Sequence, residues 1–338
     1  MRRTRRAVAA LSFAGLLAAC AGTEPQPPIH ATTPVTPHLT NDAFIANDGA
    51  QLPLRSWLPE GRIRAVVVAV HGMNDYSHAF AGPGQEWAKH GIATYAYDQR
   101  GFGAAPTPGS WPGTYLLDAD LAAVTRLLHA RYPGVPLYLL GESMGGAVVA
   151  TAEAGATGAE QPQADGIILV APAVWGKQTI NVFLRVALWT LDKIAPRWTF
   201  TGQSLKIRPS DNIEMLRELS RDPLVIKETQ VGTISGLVDL MSEAFASAPQ
   251  LRQRMLLLYG ANDQVIPPGP TQKFIAALPP AAPGTRVLSY YDHGYHMLLR
   301  DLEGQLVQHD VENWILAPGA PLPSGADSRA VEALTPQS

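Results

Sequence analysis

Leu137-Tyr138-Leu139-Leu140-Gly141-Glu142-Ser143-Met144-Gly145-Gly146-Ala147-Val148-Val149-Ala150 decides how this chain of 338 residues folds. The apolar run Leu137 to Leu140 does not alternate, as befits a strand buried on both faces of a sheet. Ala147 to Ala150 reads as helix. Between them Gly141-Glu142-Ser143-Met144-Gly145 is a G-x-S-x-G pattern. There the chain turns from strand to helix so sharply that side chains two positions before and after the serine would collide, so glycine sits at both. The turn lifts the Ser143 hydroxyl above a helix N-terminus, where the dipole and free N–H groups favour developing negative charge. In that setting Ser143 is a candidate nucleophile.

Outward from this motif, similar short apolar runs recur: Ala65 to Val70, Ile92 to Tyr97, Gly166 to Val170, Met255 to Tyr259 and Arg286 to Tyr290. Longer amphipathic stretches separate them. One is Tyr115 to Tyr132, where Leu117, Leu121, Val124 and Leu128 recur at helical spacing and Pro133 ends the run. The alternation predicts an α/β fold with a mostly parallel central sheet flanked by helices, lying between residues 41 and 316. Segments around Phe44 and Leu52 to Trp57 suggest an antiparallel hairpin at one edge. After Pro172 the rhythm breaks. From Trp175 to about Pro249 no strand of the same kind is expected, and this segment is read as an inserted helical cap over the site.

A serine hydroxyl needs a base to take its proton and an acid to orient that base. When the nucleophile stands on such an elbow, the chain order is Ser, then Asp or Glu, then His. Asp263 in Leu257-Leu258-Tyr259-Gly260-Ala261-Asn262-Asp263 follows a strand end and is the candidate acid. Two histidines compete for the base in Asp292-His293-Gly294-Tyr295-His296; Gly294-Tyr295-His296 resembles the Gly-x-His loop of hydrolases with such an elbow, and that resemblance favours His296. The oxyanion of a tetrahedral intermediate needs two preplaced donors. One is the Met144 N–H, directly after the nucleophile. The other is assigned to the Met73 N–H in His71-Gly72-Met73-Asn74, after the strand that ends at Val70. His71 would break the chain order as a base and is read as shaping that loop.

His71-Gly72, Asp98-Gln99-Arg100-Gly101-Phe102-Gly103, the elbow, Asp263 and Gly294-Tyr295-His296 together resemble the monoacylglycerol lipase and lysophospholipase group of the α/β-hydrolases. The resemblance implies cleavage of a carboxylic ester in a single-chain acyl lipid through an acyl-enzyme, with no metal or cofactor. Where the group often has histidine before the serine, this chain has Glu142. The cap residues Phe183, Val186 and Trp189 offer the apolar surface that an acyl channel needs. The fold also serves peptidases, haloperoxidases, carbon–carbon hydrolases and acyltransferases, and a non-catalytic lipid-binding lipoprotein is a further reading.

The ends of the chain speak to location. Arg2, Arg3, Arg5 and Arg6, an apolar run from Ala7 to Ala19 and small residues after it have the layout of an export signal over residues 1–19. Leu17-Ala18-Ala19-Cys20 resembles a bacterial lipobox, which makes Cys20 the expected site of a lipid anchor in a cell-envelope membrane; Ala21 in place of Asp leans toward the outer one. Cys20 is the only cysteine, so a disulfide within the chain is excluded. Ala19-Cys20-Ala21 also satisfies an ordinary secretory cleavage site. Residues 21–40 are rich in Pro and Thr and read as a linker, and residues 317–338 as an unstructured tail. Loss of the four arginines would take the net charge from −3 to −7, so no basic surface invites nucleic acid.

Overall fold

The computed structural model describes residues 34–177, 180–202 and 207–334. The expected export signal, Cys20 and most of the linker lie outside them. Nine strands form one sheet in the order β1-β2-β3-β5-β4-β6-β7-β10-β11: β1 (His38–Leu39), β2 (Ala43–Ile45), β3 (Gln51–Trp57), β4 (Ala65–Val70), β5 (Ile92–Tyr97), β6 (Leu137–Glu142), β7 (Gly166–Val170), β10 (Met255–Gly260) and β11 (Arg286–Tyr291). The first three pair antiparallel, with β3 joined antiparallel to β5, and every pairing from β5 to β11 is parallel. The sheet is thus a mostly parallel one with an antiparallel edge, as the sequence pattern predicts.

The apolar runs have their physical reason in this sandwich. Every residue of β4, β5, β6, β7 and β10 is buried. Alternate side chains of β4 point to opposite layers: Val66, Val68 and Val70 join the core that holds Leu117, Leu121, Val148 and Leu240, while Ala65, Val67 and Ala69 join Trp87, Val311 and Trp314. The first layer contains α2 (Thr114–Arg131), α3 (Met144–Ala154) and α6 (Val231–Ser247); the second contains α1 (Ala81–Lys89) and α8 (Gly304–Leu316). Of the parallel strands only β11, at the sheet edge, is half-exposed along most of its length.

Between β7 and β10 lie α4 (Val182–Ile194), α5 (Ile213–Arg221), α6 and two short strands, β8 (Thr199–Thr201) and β9 (Glu228–Gln230), which pair antiparallel as a separate ribbon. The segment expected to form a cap over residues 175–249 does not lie apart from the sheet layers along its whole length. Its last helix, α6, packs on α3, with Leu240 and Ala244 fully buried in the main core. A helix with such a face belongs to the layer that covers the sheet.

Two further boundaries are corrected. The folded chain starts before residue 41, because β1 pairs with β2 and the Val35 N–H donates to Asn47 O. Nor are residues 317–334 of the segment 317–338 an unstructured tail. After α7 (Pro268–Ala277) and α8, the chain forms α9 (Ala326–Leu334), which packs along β11. Ala326, Ala330 and Leu334 are four residues apart on one helical face, and all three are fully buried. They cover the edge strand. Leu334→Ala should consequently cost about 2–4 kcal/mol in denaturant unfolding, as buried Leu→Ala changes do. An unchanged unfolding midpoint would return this segment to the status of a tail.

Candidate active site

The elbow at the end of β6 is built by close contacts that exclude side chains. A methyl on Gly141 would lie 2.3 Å from the Gly145 carbonyl oxygen, and one on Gly145 would lie 2.0 Å from Val70 O. Between them Ser143 takes φ 55° and ψ −115°, a conformation that costs a non-glycine residue about 1–3 kcal/mol. The Ser143 N–H donates to Val170 O, and its carbonyl accepts from Ala147 N in the first turn of α3. Met144 opens that helix and is buried.

Asp263 follows β10 and His296 follows β11, so nucleophile, acid and histidine all leave the sheet beyond the carboxyl ends of parallel strands. The two later loops touch. A methyl on Gly260 would meet Gly294 at 2.5 Å, and Asn262 N donates to Gly294 O. This contact brings His296 Nδ1 to 2.8 Å from Asp263 Oδ2. The other carboxylate oxygen accepts the N–H groups of Val265 and Ile266 at 2.8 and 2.9 Å. Both side chains are buried, whereas His293 is exposed. Facing a carboxylate that can only accept, Nδ1 carries the proton and Nε2 keeps its lone pair. Among the described residues no hydrogen bond joins Ser143 Oγ to the imidazole; such contacts are often long until a substrate is seated.

The loop that follows β4 reaches the nucleophile. A methyl on Gly72 would sit 3.3 Å from Ser143 Cβ, and Met73 comes next. Asn74 then adopts φ 66° and is held from the segment between β7 and β10: its Nδ2 donates to Thr229 Oγ1 at 2.7 Å, and Ile226 N donates to its carbonyl. Tyr76 adds a hydrogen bond to Asp222. His71 is fully buried, with Nδ1 2.8 Å from Gly72 O and Nε2 accepting from Gln99 N. Burial pushes its pKa below the ordinary histidine value. It is a loop-shaping residue by geometry. The Asp98 to Gly103 loop is likewise structural: Asp98 binds Ser77 and Ala104, and Arg100 is forked between Asp48 and Asp120.

The acyl channel expected from Phe183, Val186 and Trp189 is not formed by them. They are 80%, 58% and 64% exposed, and no residue of α4 is fully buried. The helix is mostly apolar and packs on α6, while most of its residues stand exposed among the described residues. Sequence reading missed another feature beside the nucleophile. Glu142 is buried and its Oε2 lies 3.2 Å from Arg300 Nη2, which is also 2.7 Å from Asp75 Oδ2. Glutamate at a position between a buried strand and a buried helix was the available signal, since such a charge requires a partner. Among the described residues no group of three or more His, Cys, Asp or Glu side chains is arranged to hold a metal.

A monoacylglycerol lipase of Mycolicibacterium smegmatis is 25% identical over 286 residues, which cover 81% of this chain and 96% of the relative. The human monoglyceride lipase is 26% identical over 297 residues, covering 82% and 89%. Among solved structures, a soluble variant of the Saccharomyces cerevisiae monoglyceride lipase in complex with a substrate analogue superposes with a TM-score of 0.68 at 20% identity, over 86% of this chain and 97% of that one. At that identity the superposition speaks to fold. The family model described as serine aminopeptidase, S33, matches residues 61–303 and so takes in the elbow, Asp263 and His296. The chain belongs to this family, Hydrolase_4, and is a monoacylglycerol lipase-like serine hydrolase of the α/β-hydrolase fold.

Proposed function

We propose that the chain hydrolyses single-chain acyl glycerolipids, monoacylglycerols foremost, with Ser143 as nucleophile, His296 as base and Asp263 as the acid that orients it. The observation that carries this reading is the buried Asp263–His296 pair beyond the same edge of the sheet as the Ser143 elbow. His296 Nε2 takes the hydroxyl proton as Ser143 Oγ attacks the ester carbonyl. The N–H groups of Met73 and Met144 receive the oxyanion. Collapse expels the glycerol oxygen with the proton from His296, and a water activated by the same nitrogen then frees the fatty acid.

Two features favour a lipid ester over the amino-terminal peptide that the family description names. A site for a substrate ammonium needs a free carboxylate, but the carboxylates of the loops that carry the site are already paired: Glu142, through Oε2, and Asp75 with Arg300, Asp263 with His296, Asp301 with Ser210 and the Tyr295 N–H; of their oxygens, Glu142 Oε1 is buried with no partner among the described residues. The second is the outer side of α4, where Phe183, Leu184, Val186 and Trp189 are exposed beside Arg185 and Lys193. Such a face meets a lipid phase, and the basic residues meet anionic head groups. A lipid on Cys20 would hold the enzyme at that surface in the bacterial cell envelope.

Wild-type protein and a Phe183→Ser/Trp189→Ser variant, assayed on palmitoyl monoacylglycerol in vesicles, palmitoyl lysophosphatidylcholine, a soluble acetyl ester and an aminoacyl amide, test the reading. Wild type should cleave the monoacylglycerol best and leave the amide intact. Each large apolar side chain seated in lipid contributes about 1.5–3 kcal/mol, so the variant should lose at least about tenfold on vesicles and less than about twofold on the acetyl ester. Preference for the lysophospholipid would change the head group, and cleavage of the amide would overturn the lipid assignment.

A further inference from the structure

We propose that Arg300 is a positioning residue that keeps the two halves of the oxyanion hole in register, by joining Asp75 on one half to Glu142 on the other. The inference rests on the roles given above to Ser143, Met73 and Met144. Asp75 stands two residues after Met73, and Glu142 two residues before Met144. Arg300 Nη2 alone contacts both carboxylates, at 2.7 Å to Asp75 Oδ2 and 3.2 Å to Glu142 Oε2.

The tie is stiff because it is largely buried. The three side chains are 12%, 8% and 3% exposed. In such surroundings a charge that loses its partner is poorly compensated by water. Burial pushes the Glu142 carboxyl above its ordinary range while Arg300 draws it back, and burial works to lower Arg300 while the two carboxylates hold it above the usual arginine value. Asp75 and Arg300 are also tied to the backbone around them. Asp75 Oδ1 accepts the Tyr76 N–H at 2.9 Å. The Arg300 N–H donates to Met297 O, and the Arg300 carbonyl accepts from Asn212 Nδ2. Since Arg300 follows His296 by four residues, one guanidinium links the loops that carry the base, the nucleophile and both oxyanion donors. A shift of either half would move one N–H away from the position that the oxyanion will occupy, where distance decides its worth.

Arg300→Met strands two facing carboxylates and so threatens the fold; the deciding variants are Glu142→Gln, which leaves the Arg300–Asp75 pair, and Arg300→Lys, whose shorter side chain has no Nη2 to sit between both carboxylates. The readouts are kcat and KM on a soluble acetyl ester, affinity for a short alkyl boronic acid, which forms a tetrahedral adduct on the serine, and Tm. Both folded variants should lose about 10- to 100-fold in kcat with KM within about twofold, and boronate affinity should fall by a similar factor, as when an oxyanion donor is weakened. Folded variants that keep kcat and boronate affinity within about twofold of wild type, with or without a lower Tm, overturn the proposal. Wild-type protein that neither turns over the ester nor binds the boronate overturns the underlying site assignment as well.

Discussion

Ser143→Ala should lower ester hydrolysis by about 10^5- to 10^6-fold and abolish labelling by a fluorophosphonate, with no change in circular dichroism or unfolding midpoint. The size follows from what is lost. Without the hydroxyl there is no acyl-enzyme, and the oxyanion donors and bound substrate are left to assist only a water. The preserved fold follows from the elbow. Its shape comes from Gly141, Gly145 and Gly146 and from the Ser143 N–H to Val170 O bond, all of which survive the change. Alanine inherits the same φ of 55°, so the backbone strain is neither relieved nor increased. Labelling of the alanine variant at the wild-type level would assign the reactive serine elsewhere.

Much of this site is legible in the sequence because it is local. The runs at 65–70, 92–97 and 137–140 announce strands, since a strand buried on both faces can carry no polar alternation. The elbow glycines announce a turn because a methyl there would strike backbone at 2.0–2.3 Å. What escaped depends on distant partners. Arg300 meets Glu142 across 158 residues and Asp75 across 225, and an arginine in isolation reads as a surface residue. The helix α4 misled for another reason. Apolar residues at helical spacing predict a buried face, but Phe183, Val186 and Trp189 are exposed among the described residues. In α9 the signal was present but weak, two alanines and a leucine four residues apart, in a stretch whose Pro and Gly residues argued for a tail.

His296→Ala should lower turnover by at least about 10^3-fold, whereas His293→Ala should leave it within about threefold of wild type. The two residues lie three apart in one loop and differ in their surroundings. His296 is buried, and its Nδ1 is fixed at 2.8 Å from an Asp263 whose other oxygen is already bound by two backbone N–H groups. That carboxylate cannot turn away, so the ring cannot flip, and Nε2 is the nitrogen left to serve the nucleophile. His293 is exposed at the loop surface. Asp263→Asn supplies the intermediate test. It keeps the shape but can reverse the hydrogen bond, placing the proton on Nε2, and a loss of up to about 10^4-fold is expected from the wrong tautomer alone. If His293→Ala were the more damaging change, or if Asp263→Asn were silent, the base would have to be sought outside the Asp263–His296 pair.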